Sequence, residues 1–294
     1  MRRDVDGVLL LDKAAGLSSS AALQAAKRLL GARKAGHGGT LDPLASGLLP
    51  LMFGEATKLA QFALDAVKEY RATVRLGVAT QTGDAEGAVV SERPVQATDA
   101  EISAALARFR GPIAQVPPMY SALKRGGQPL YAIARQGRTV ERAPRSVMIE
   151  ALELLDRDGP DLALRVRCSK GTYVRQLASD LGALLGCGAH LTALRRTAVG
   201  HFRLEQAVTL RDLQALGERG RELRLLPPER LIAHLPRIEL DEAQAERFGH
   251  GQAPQVDAPA LGRYRVYGSA GRLLGVGERA TGGCLQPLRL VARG

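Results

Sequence analysis

The chain has 294 residues, of which 45% are hydrophobic, and it carries a formal net charge of +11. This length and apolar content predict a folded protein with a sizeable core and exclude a disordered chain, while the positive charge points to a polyanionic partner. No apolar run reaches the length of a membrane span and no signal peptide is recognisable, so we expect a cytoplasmic protein. The three scattered cysteines and five histidines support neither a disulfide framework nor a metal site.

The predicted elements of the first half alternate between strands and helices. "GVLLLDK" (7–13) is typical of a buried strand, and "LSSSAALQAAKRLLG" of a helix with serine caps and a closing Gly31. A Gly-rich loop, a short apolar strand at 48–53 and a helix near 55–66 follow. "KEYRATVRLGVAT" alternates apolar and polar residues, which predicts a half-buried strand. "TDAEISAALARFRG" opens with a capping box at Thr98 and Glu101, which predicts a helix.

The second half contains further strands and helices. "VPPMYSALKRGGQPLYAIARQG" is expected to be a loop that ends in a short helix. Two alternating strands lie near 146–156 and 161–169, and "GTYVRQLASDLGALLG" predicts a helix whose apolar stripe leaves Arg175 free to reach elsewhere. "HLTALRRTAVGHF" predicts another strand. Gly-turn hairpins favour a mixed or antiparallel sheet over a doubly wound one.

The composition changes near 225–236, and the segment beyond it differs in kind. A short helix, "DEAQAERFG", precedes short strands interrupted by glycines, a pattern that predicts a small β-barrel. From residue 250 onward there are six arginines against two acidic residues, a balance that suits a surface facing RNA.

One carboxylate, Asp42, is isolated in the apolar, Gly-rich run "AGHGGTLDPLASGLLPLMFGEATKLAQF" (35–62). The simplest interpretation is a turn, since Asp and Pro both favour turns. Alternatively, Pro43 holds Asp42 in extended geometry beside glycines that let a ligand approach closely. The run lacks the Gly-Lys-Ser/Thr ending of a phosphate loop, and the chain has no dinucleotide fingerprint, serine-hydrolase elbow or zinc-deaminase signature.

The segment "GHGGTLDPLASGLLP" resembles the signature loop of the TruB family of bacterial tRNA pseudouridine synthases. The resemblance extends to "GVLLLDKAAGLSS", "KEYRATVRLGVATQTGDAEG", "VPPMYSALKRGGQPLYAIARQG", "CSKGTYVRQLASDLG" and "CGAHLTALRRTAVG". These segments follow the family's order over roughly residues 5–205, which is far more specific than a lone Asp-Pro. The family usually has Thr-Gly after the loop histidine, whereas Gly38 and Gly39 follow His37 here, so a threonine hydroxyl has no counterpart at that position.

The resemblance implies an isomerase that converts uridine 55 in the T loop of tRNA to pseudouridine. The C1′–N1 bond breaks, the uracil turns, and C5 bonds to C1′. Asp42 matches the family's catalytic aspartate, and three roles stay open for it: nucleophile on the sugar, nucleophile on the base, or base for the 2′ proton of a glycal intermediate. Arg175 matches the arginine that pairs with this aspartate. Tyr70 matches the tyrosine that stacks on the flipped base and is a candidate for removing the C5 proton.

Further residues match positions that the resemblance assigns to substrate binding. Leu194 matches an apolar wall of the pocket, and His37 a residue that fills the space left by the flipped base. Supporting positions in the same motifs are Lys13, Lys124 and Tyr173. Without the resemblance, Tyr70 would be interpreted as a strand core residue and Arg175 as a solvated helix residue.

The fold that the resemblance implies is α+β, with a large mixed or antiparallel sheet, a central RNA-binding cleft and a small C-terminal PUA-like β-barrel. The expected domains are 1–232 and 233–294. No cofactor and no metal is needed, because an isomerisation involves no net redox change. The expected partner is the T arm of tRNA, bound by a monomer that requires no guide RNA and no obligatory protein partner.

Two alternatives stay open, and the first belongs to another class of protein. The first is a non-catalytic RNA-binding or tRNA-folding protein on the same scaffold, although the joint presence of Asp42, Tyr70 and Arg175 argues against a dead enzyme. An active enzyme would also be able to act as a tRNA-folding chaperone, since flipping the base requires partial unfolding of the tRNA elbow. The second is a guide-RNA-dependent synthase of the archaeal and eukaryotic kind, which the short barrel disfavours.

Overall fold

The structure is a computed structural model that describes residues 3–121, 123–258 and 260–291. Its strands, in chain order, are β1 Gly7–Lys13, β2 Ala35–His37, β3 Ser46–Phe53, β4 Lys68–Leu76, β5 Val78–Thr80, β6 Val89–Glu92, β7 Gly111–Gln115, β8 Lys124–Arg125, β9 Gln128–Pro129, β10 Arg145–Asp158, β11 Asp161–Cys168, β12 Ala189–Val199, β13 Phe202–Arg203, β14 Val208–Thr209, β15 Arg237–Glu239, β16 Gly262–Tyr267, β17 Leu273–Arg279 and β18 Leu285–Leu290.

The α-helices are shorter and lie between these strands. In chain order they are α1 Ser19–Leu29, α2 Ala60–Asp65, α3 Asp99–Ala107, α4 Leu130–Arg135, α5 Val174–Leu184, α6 Leu210–Ala215, α7 Glu218–Glu222 and α8 Glu242–Gly249. Short 3₁₀ segments cover Gly54–Leu59, Leu204–Gln206, Pro228–Ile232 and Ser269–Gly271. Among the helices of the described residues, none combines the length and the apolar content that crossing a membrane would require.

A large mixed sheet organises the first two thirds of the chain. Its strand order is β14-β1-β3-β12-β4-β11-β10-β7, with β2 paired to β3 and β13 paired to β12. Two neighbouring pairs, β1 with β14 and β3 with β12, are parallel, and the other pairs are antiparallel. The predicted α+β class with a mixed sheet is therefore confirmed. Strands β12 and β4 lie at the centre, where a site on the sheet has packed neighbours on both sides.

The local sequence signals account for several elements. The Ser18 side chain accepts a hydrogen bond from the Ala21 amide and caps α1, as predicted from the serine run. Thr98 and Glu101 form the predicted capping box of α3. Strand β4 alternates buried and more exposed positions, so Tyr70 and its neighbours at 72, 74 and 76 face the core.

One element differs from the prediction in detail, and one prediction is left untested. The helix expected near 55–66 begins as a 3₁₀ segment over Gly54–Leu59, and only α2 is α-helical. The C-terminal strands form a four-stranded sheet in the order β15-β16-β17-β18, with a parallel first pair. Closure of this sheet into a PUA-like barrel stays a prediction.

The hydrophobic core reaches across the predicted domain boundary. One cluster fills one side of the large sheet, and a second packs apolar residues of β1 and β3 against the chain near Leu231 and Ile232. Val276 of β17 is fully buried in this second cluster, with Leu273 and Leu288 packed at its edge. The C-terminal segment therefore stabilises the large sheet directly, and its removal would expose apolar surface.

Candidate active site

A cavity of about 340 Å³ opens on one face of the central strands. Strands β4 and β12 form two adjoining walls. Tyr70 of β4 and Arg196 of β12 both line the cavity and are paired directly across these strands. The loop after β2 and the start of α5 close the remaining sides. Predicted site residues that line this cavity are Asp42, Tyr70, Tyr173, Arg175 and Leu194.

The loop that carries Asp42 is fixed from several directions. Ser19, at the start of α1, donates to the Leu41 carbonyl (2.9 Å) and accepts from the Leu41 amide (2.8 Å). The Gly16 amide donates to the Pro43 carbonyl (2.8 Å), and the Ala45 amide to the Asp42 carbonyl (3.0 Å). The loop is thus held by backbone hydrogen bonds while 42% of the Asp42 side chain stays exposed to the cavity.

Arg175 is the direct partner of Asp42. The Nη2 atom of Arg175 lies 2.9 Å from Oδ2 of Asp42, and only 6% of the arginine side chain is exposed. Arg175 is the second residue of α5, and its side chain leaves the apolar stripe to reach the cavity. A charge-assisted contact of this length is among the stronger polar interactions in proteins.

A second carboxylate, Asp84, lies behind Arg175 and was not predicted as a site residue. Its Oδ2 atom is 3.8 Å from Nη1 of Arg175, and its Oδ1 atom accepts from the Thr82 hydroxyl (2.5 Å) and the Glu86 amide (3.2 Å). The loop packs closely on α5: Gly83 has φ +75°, and a Cβ there would lie 2.8 Å from Oγ of Ser179. The sequence indicated only a turn, because docking of this turn onto α5 is a tertiary feature.

Burial and the neighbouring charges shift the pKa of Asp42 in opposite directions. Burial of the group low in the cavity raises the pKa of Asp42, and the nearby Asp84 carboxylate acts in the same direction. Arg175 and, more weakly, Lys13 lower it, but the net direction remains upward. Asp42 is accessible from the cavity and is nevertheless poorly solvated, so its charge depends on Arg175.

Tyr70 lies in the wall of the cavity with its side chain largely buried. Burial raises the pKa of its hydroxyl, and the nearby Arg196 guanidinium opposes this increase without reversing it. The phenol is therefore neutral at physiological pH. A neutral phenol suits stacking and hydrogen bonding better than it suits proton abstraction.

Tyr173 and Leu194 complete the walls of the cavity. Tyr173 precedes α5, and its backbone is clamped by Gln115, which accepts from the Tyr173 amide (2.8 Å) and donates to its carbonyl (3.1 Å). The Arg175 guanidinium carbon lies 5.9 Å from the centre of the Tyr173 ring. Leu194, on β12, supplies half-buried apolar surface.

Of the other predicted positions, Lys13 and His37 do not line the cavity. Lys13 is fully buried, and its ammonium donates to the carbonyls of Ala14 (2.9 Å) and Leu17 (2.6 Å). His37 lies on β2, where burial lowers its pKa. Lys124 lies in β8, and its side chain is outside the described part of the structure.

Two buried cations in the cavity wall were not predicted. The Lys68 ammonium donates to the carbonyls of Ala63 (3.1 Å), Leu64 (2.5 Å) and Ala66 (2.6 Å), at the C-terminal end of α2. Arg196 donates from Nε to the Leu48 carbonyl (2.7 Å) and from Nη2 to the Gly39 carbonyl (3.1 Å). A strand sequence such as "KEYRATVRL" gives no signal for this role, since the accepting carbonyls belong to other elements.

Three family models match successive parts of the chain. Residues 27–174 match the N-terminal domain of TruB family pseudouridylate synthases. Residues 175–232 match the tRNA pseudouridylate synthase B C-terminal domain, and residues 236–291 match a further C-terminal model, pseudouridine synthase II TruB. Together these models account for most of the sequence.

Full-length relatives carry related names. The chain is 59% identical over 291 residues to tRNA pseudouridine synthase B of Aromatoleum aromaticum, covering 99% of this chain and 94% of the relative. It is also 59% identical over 300 residues to the protein of the same name from Burkholderia mallei, covering 100% of this chain and 99% of the relative.

Solved structures agree with these matches. A structure of an H/ACA RNP bound to a substrate RNA containing 2′-deoxyuridine contains a chain with TM-score 0.74 and 26% identity, covering 98% of this chain and 85% of that chain. The archaeal box H/ACA sRNP Nop10-Cbf5 complex gives TM-score 0.73 and 27% identity, with 98% and 87% covered. The sequence and structural matches lead to one conclusion: the chain belongs to the TruB family of pseudouridylate synthases.

Proposed function

We propose that this enzyme converts uridine 55 in the T loop of tRNA to pseudouridine, with Asp42 as the essential carboxylate. The observation that carries the proposal is the Asp42–Arg175 pair, 2.9 Å apart, in a cavity of about 340 Å³. Such a volume is at the small end of ligand pockets and suits one nucleotide rather than a duplex. The relatives from Aromatoleum and Burkholderia are named as synthases acting on tRNA.

In this proposal each wall of the cavity has a part in the reaction. A stacked base cannot reach the cavity, so the target nucleotide must flip out of the T loop. The uracil then lies against Tyr70 and Leu194, with its sugar toward Asp42. The C1′–N1 bond breaks, the ring turns, C5 bonds to C1′, C5 loses its proton, and N1 gains one. Asp42 acts as a nucleophile on the sugar, as a nucleophile on the base, or as a base for the 2′ proton.

The direct test uses an unmodified tRNA transcript and the purified protein alone. We expect pseudouridine at position 55 after incubation and at no other position of that transcript. A transcript with cytidine at position 55 is the control and should stay unmodified. Absence of pseudouridine, or formation that requires an added guide RNA, would refute the proposal. The same assay separates this enzyme from guide-dependent synthases.

Tyr70→Phe tests whether the hydroxyl contributes beyond the stacking ring. The variant keeps the aromatic face, so we expect tRNA binding to survive. Turnover should fall sharply, by roughly 10²-fold, which is typical for the loss of one positioned proton-transfer or hydrogen-bonding group. Single-turnover rates and equilibrium binding would be measured for Phe and Ala variants. A Phe variant with wild-type turnover would show that only the ring is needed.

We also propose that the C-terminal segment, residues 233–294, grips RNA outside the cavity. Arg272 and Arg289 are exposed on it, so their replacement by Gln should weaken tRNA binding and leave the rate at saturating tRNA unchanged. Each lost phosphate contact should reduce the log–log salt slope of binding by ~0.7 to 0.9. Substitution is preferable to deletion, because Val276 belongs to the shared core. An unchanged slope would contradict this role.

A further inference from the structure

The cavity contains more buried positive charge than its carboxylates neutralise. Lys68 and Arg196 line it, and both are largely removed from solvent, with 6% and 1% exposed. In the described residues, neither lies within 4 Å of a carboxylate oxygen. Their hydrogen bonds go to backbone carbonyls instead. Burying a cation without a carboxylate partner destabilises a fold.

A purely structural role explains these cations only in part. Lys68 caps the C-terminal end of α2, and Arg196 ties β12 to β3 and to the loop before Asp42. Buried charges in proteins are usually paired with an opposite charge, and carbonyl oxygens only partly offset the desolvation of a cation. Two such cations in the wall of one cavity therefore suggest a negative charge that arises there.

The positions of Lys68 and Arg196 relative to Tyr70 indicate where in the cavity this negative charge arises. Lys68 is two residues before Tyr70 on β4, so both side chains leave the same face of the sheet. Arg196, on β12, is paired directly with Tyr70 on the neighbouring strand β4. A Cβ on Gly39 would lie 3.7 Å from Nη1 of Arg196 and 3.9 Å from Cε of Lys68, so both cations approach the loop that leads to Asp42.

The chemistry supplies a suitable anion at this place. When the C1′–N1 bond breaks, its electron pair stays on the uracil, which becomes an anion with charge shared among N1, O2 and O4. The electron-poor C1′ is left beside the Asp42 carboxylate. We propose that Lys68 and Arg196 form a cationic wall that stabilises the detached uracil anion until C5 bonds to C1′. This inference rests on the proposed base isomerisation.

The depth of the pair distinguishes this role from a phosphate contact. The phosphates of a flipped nucleotide stay near the mouth of the cavity, where Lys170 has 62% of its side chain exposed. Lys68 and Arg196 are far more buried, with 6% and 1% exposed, and they occupy strand positions next to Tyr70. Fixed charges in a site that excludes water stabilise a developing anion strongly, since they need no reorganisation.

The protonation state of Lys68 is compatible with this role. Burial, reinforced by Arg196, lowers the pKa of Lys68 to about 8. The charged groups around it are Arg196, Asp65 and Lys170, of which Arg196 contributes most; the Cys168 thiol is also near, but burial raises its pKa to about 11 and keeps it neutral. The ammonium is thus mainly protonated at neutral pH, and an anion in the cavity would raise its pKa further.

The experiment compares variants of each cation at saturating tRNA in single turnover. Arg196→Met and Lys68→Met should slow conversion by ~10² to 10³, as loss of one transition-state donor does elsewhere. Binding should change less than threefold. The melting temperature is measured alongside, because each variant also loses hydrogen bonds to backbone carbonyls. Arg71→Met is the matched control. Arg71 follows Tyr70 on β4, but its side chain is exposed and points to the opposite face of the strand, away from the cavity. The rate of this variant should be unchanged. A loss confined to tRNA binding would identify a phosphate contact and overturn the proposal.

A leaving-group test separates charge stabilisation from positioning. Fluorine at C5 stabilises the uracil anion, so cleavage of 5-fluorouridine depends less on the wall. Arg196→Met should therefore slow the consumption of 5-fluorouridine, in which the base is still bonded to C1′ through N1, less than it slows the conversion of uridine. Equal slowing of both substrates would overturn the proposal.

Charge-keeping variants provide the test if a Met variant does not fold. Arg196→Lys should retain far more activity than Arg196→Gln, and equal rates for these two would refute the wall. Wild-type protein is included throughout, and its inactivity on the transcript would refute the proposed function itself. Wild-type activity with an equally active neutral variant would refute only this inference.

Discussion

Replacing Asp42 with Asn should abolish isomerisation while tRNA still binds. The substitution removes the charge and hardly changes the volume, so the loop held by Ser19 should keep its shape. We expect the rate to fall by about 10⁴-fold or more, since loss of a nucleophile or essential acid–base group has effects of this size. Release of tritium from [5-³H]uridine in the transcript measures the rate, and filter binding measures the affinity.

The neighbouring carboxylate provides a matched control for this prediction. Asp84→Asn is the same chemical change behind Arg175 rather than in the cavity. It should slow turnover less than Asp42→Asn does. It should also move the acidic limb of the pH–rate profile to lower pH, because Asp84 contributes to the raised pKa of Asp42. If the Asp42→Asn protein turned over near the wild-type rate, Asp42 would not be catalytic.

Local structure was largely predictable, because its causes lie in adjacent residues. The serine cap of α1 and the capping box of α3 each involve side chains within three residues of the helix start. The alternation in β4 likewise fixed which face is buried. Pairing of Asp42 with Arg175, which are far apart in the chain, came from the family resemblance, and the structure places the two side chains in contact.

The remaining features depend on contacts that no local pattern encodes. Lys68 appears in the sequence as the first residue of a strand, and only folding brings the end of α2 onto its ammonium. Asp84 appears as a turn residue until its loop docks on α5. The assignment of Lys13 to substrate binding rests on the resemblance and stays a prediction; in the structure its ammonium donates to nearby carbonyls.

Arg175→Met should impair both stability and catalysis, for separable reasons. Asp84 is buried and would lose its cation, and an uncompensated buried charge typically costs about 3–5 kcal/mol. Asp42 is partly exposed and should contribute much less to this loss. In the double variant Arg175→Met with Asp84→Asn, the buried charge is gone, so thermal stability should largely return. Turnover should not return, since Asp42 still lacks its partner.

The pH dependence of Arg175→Met gives the sharper measurement. In the wild-type protein, Arg175 is the largest influence that lowers the pKa of Asp42, against burial and Asp84. Without it the pKa of Asp42 rises further, so the fraction of ionised Asp42 at neutral pH falls and the acidic limb of the pH–rate profile moves to higher pH. Raising the pH should then restore part of the rate.

Arg175→Lys, which keeps a charge without the planar fork, should show a smaller displacement of the acidic limb. A limb that stays at its wild-type position in Arg175→Met would mean that Arg175 does not set the ionisation of Asp42, and that its contact at 2.9 Å only orients the carboxylate.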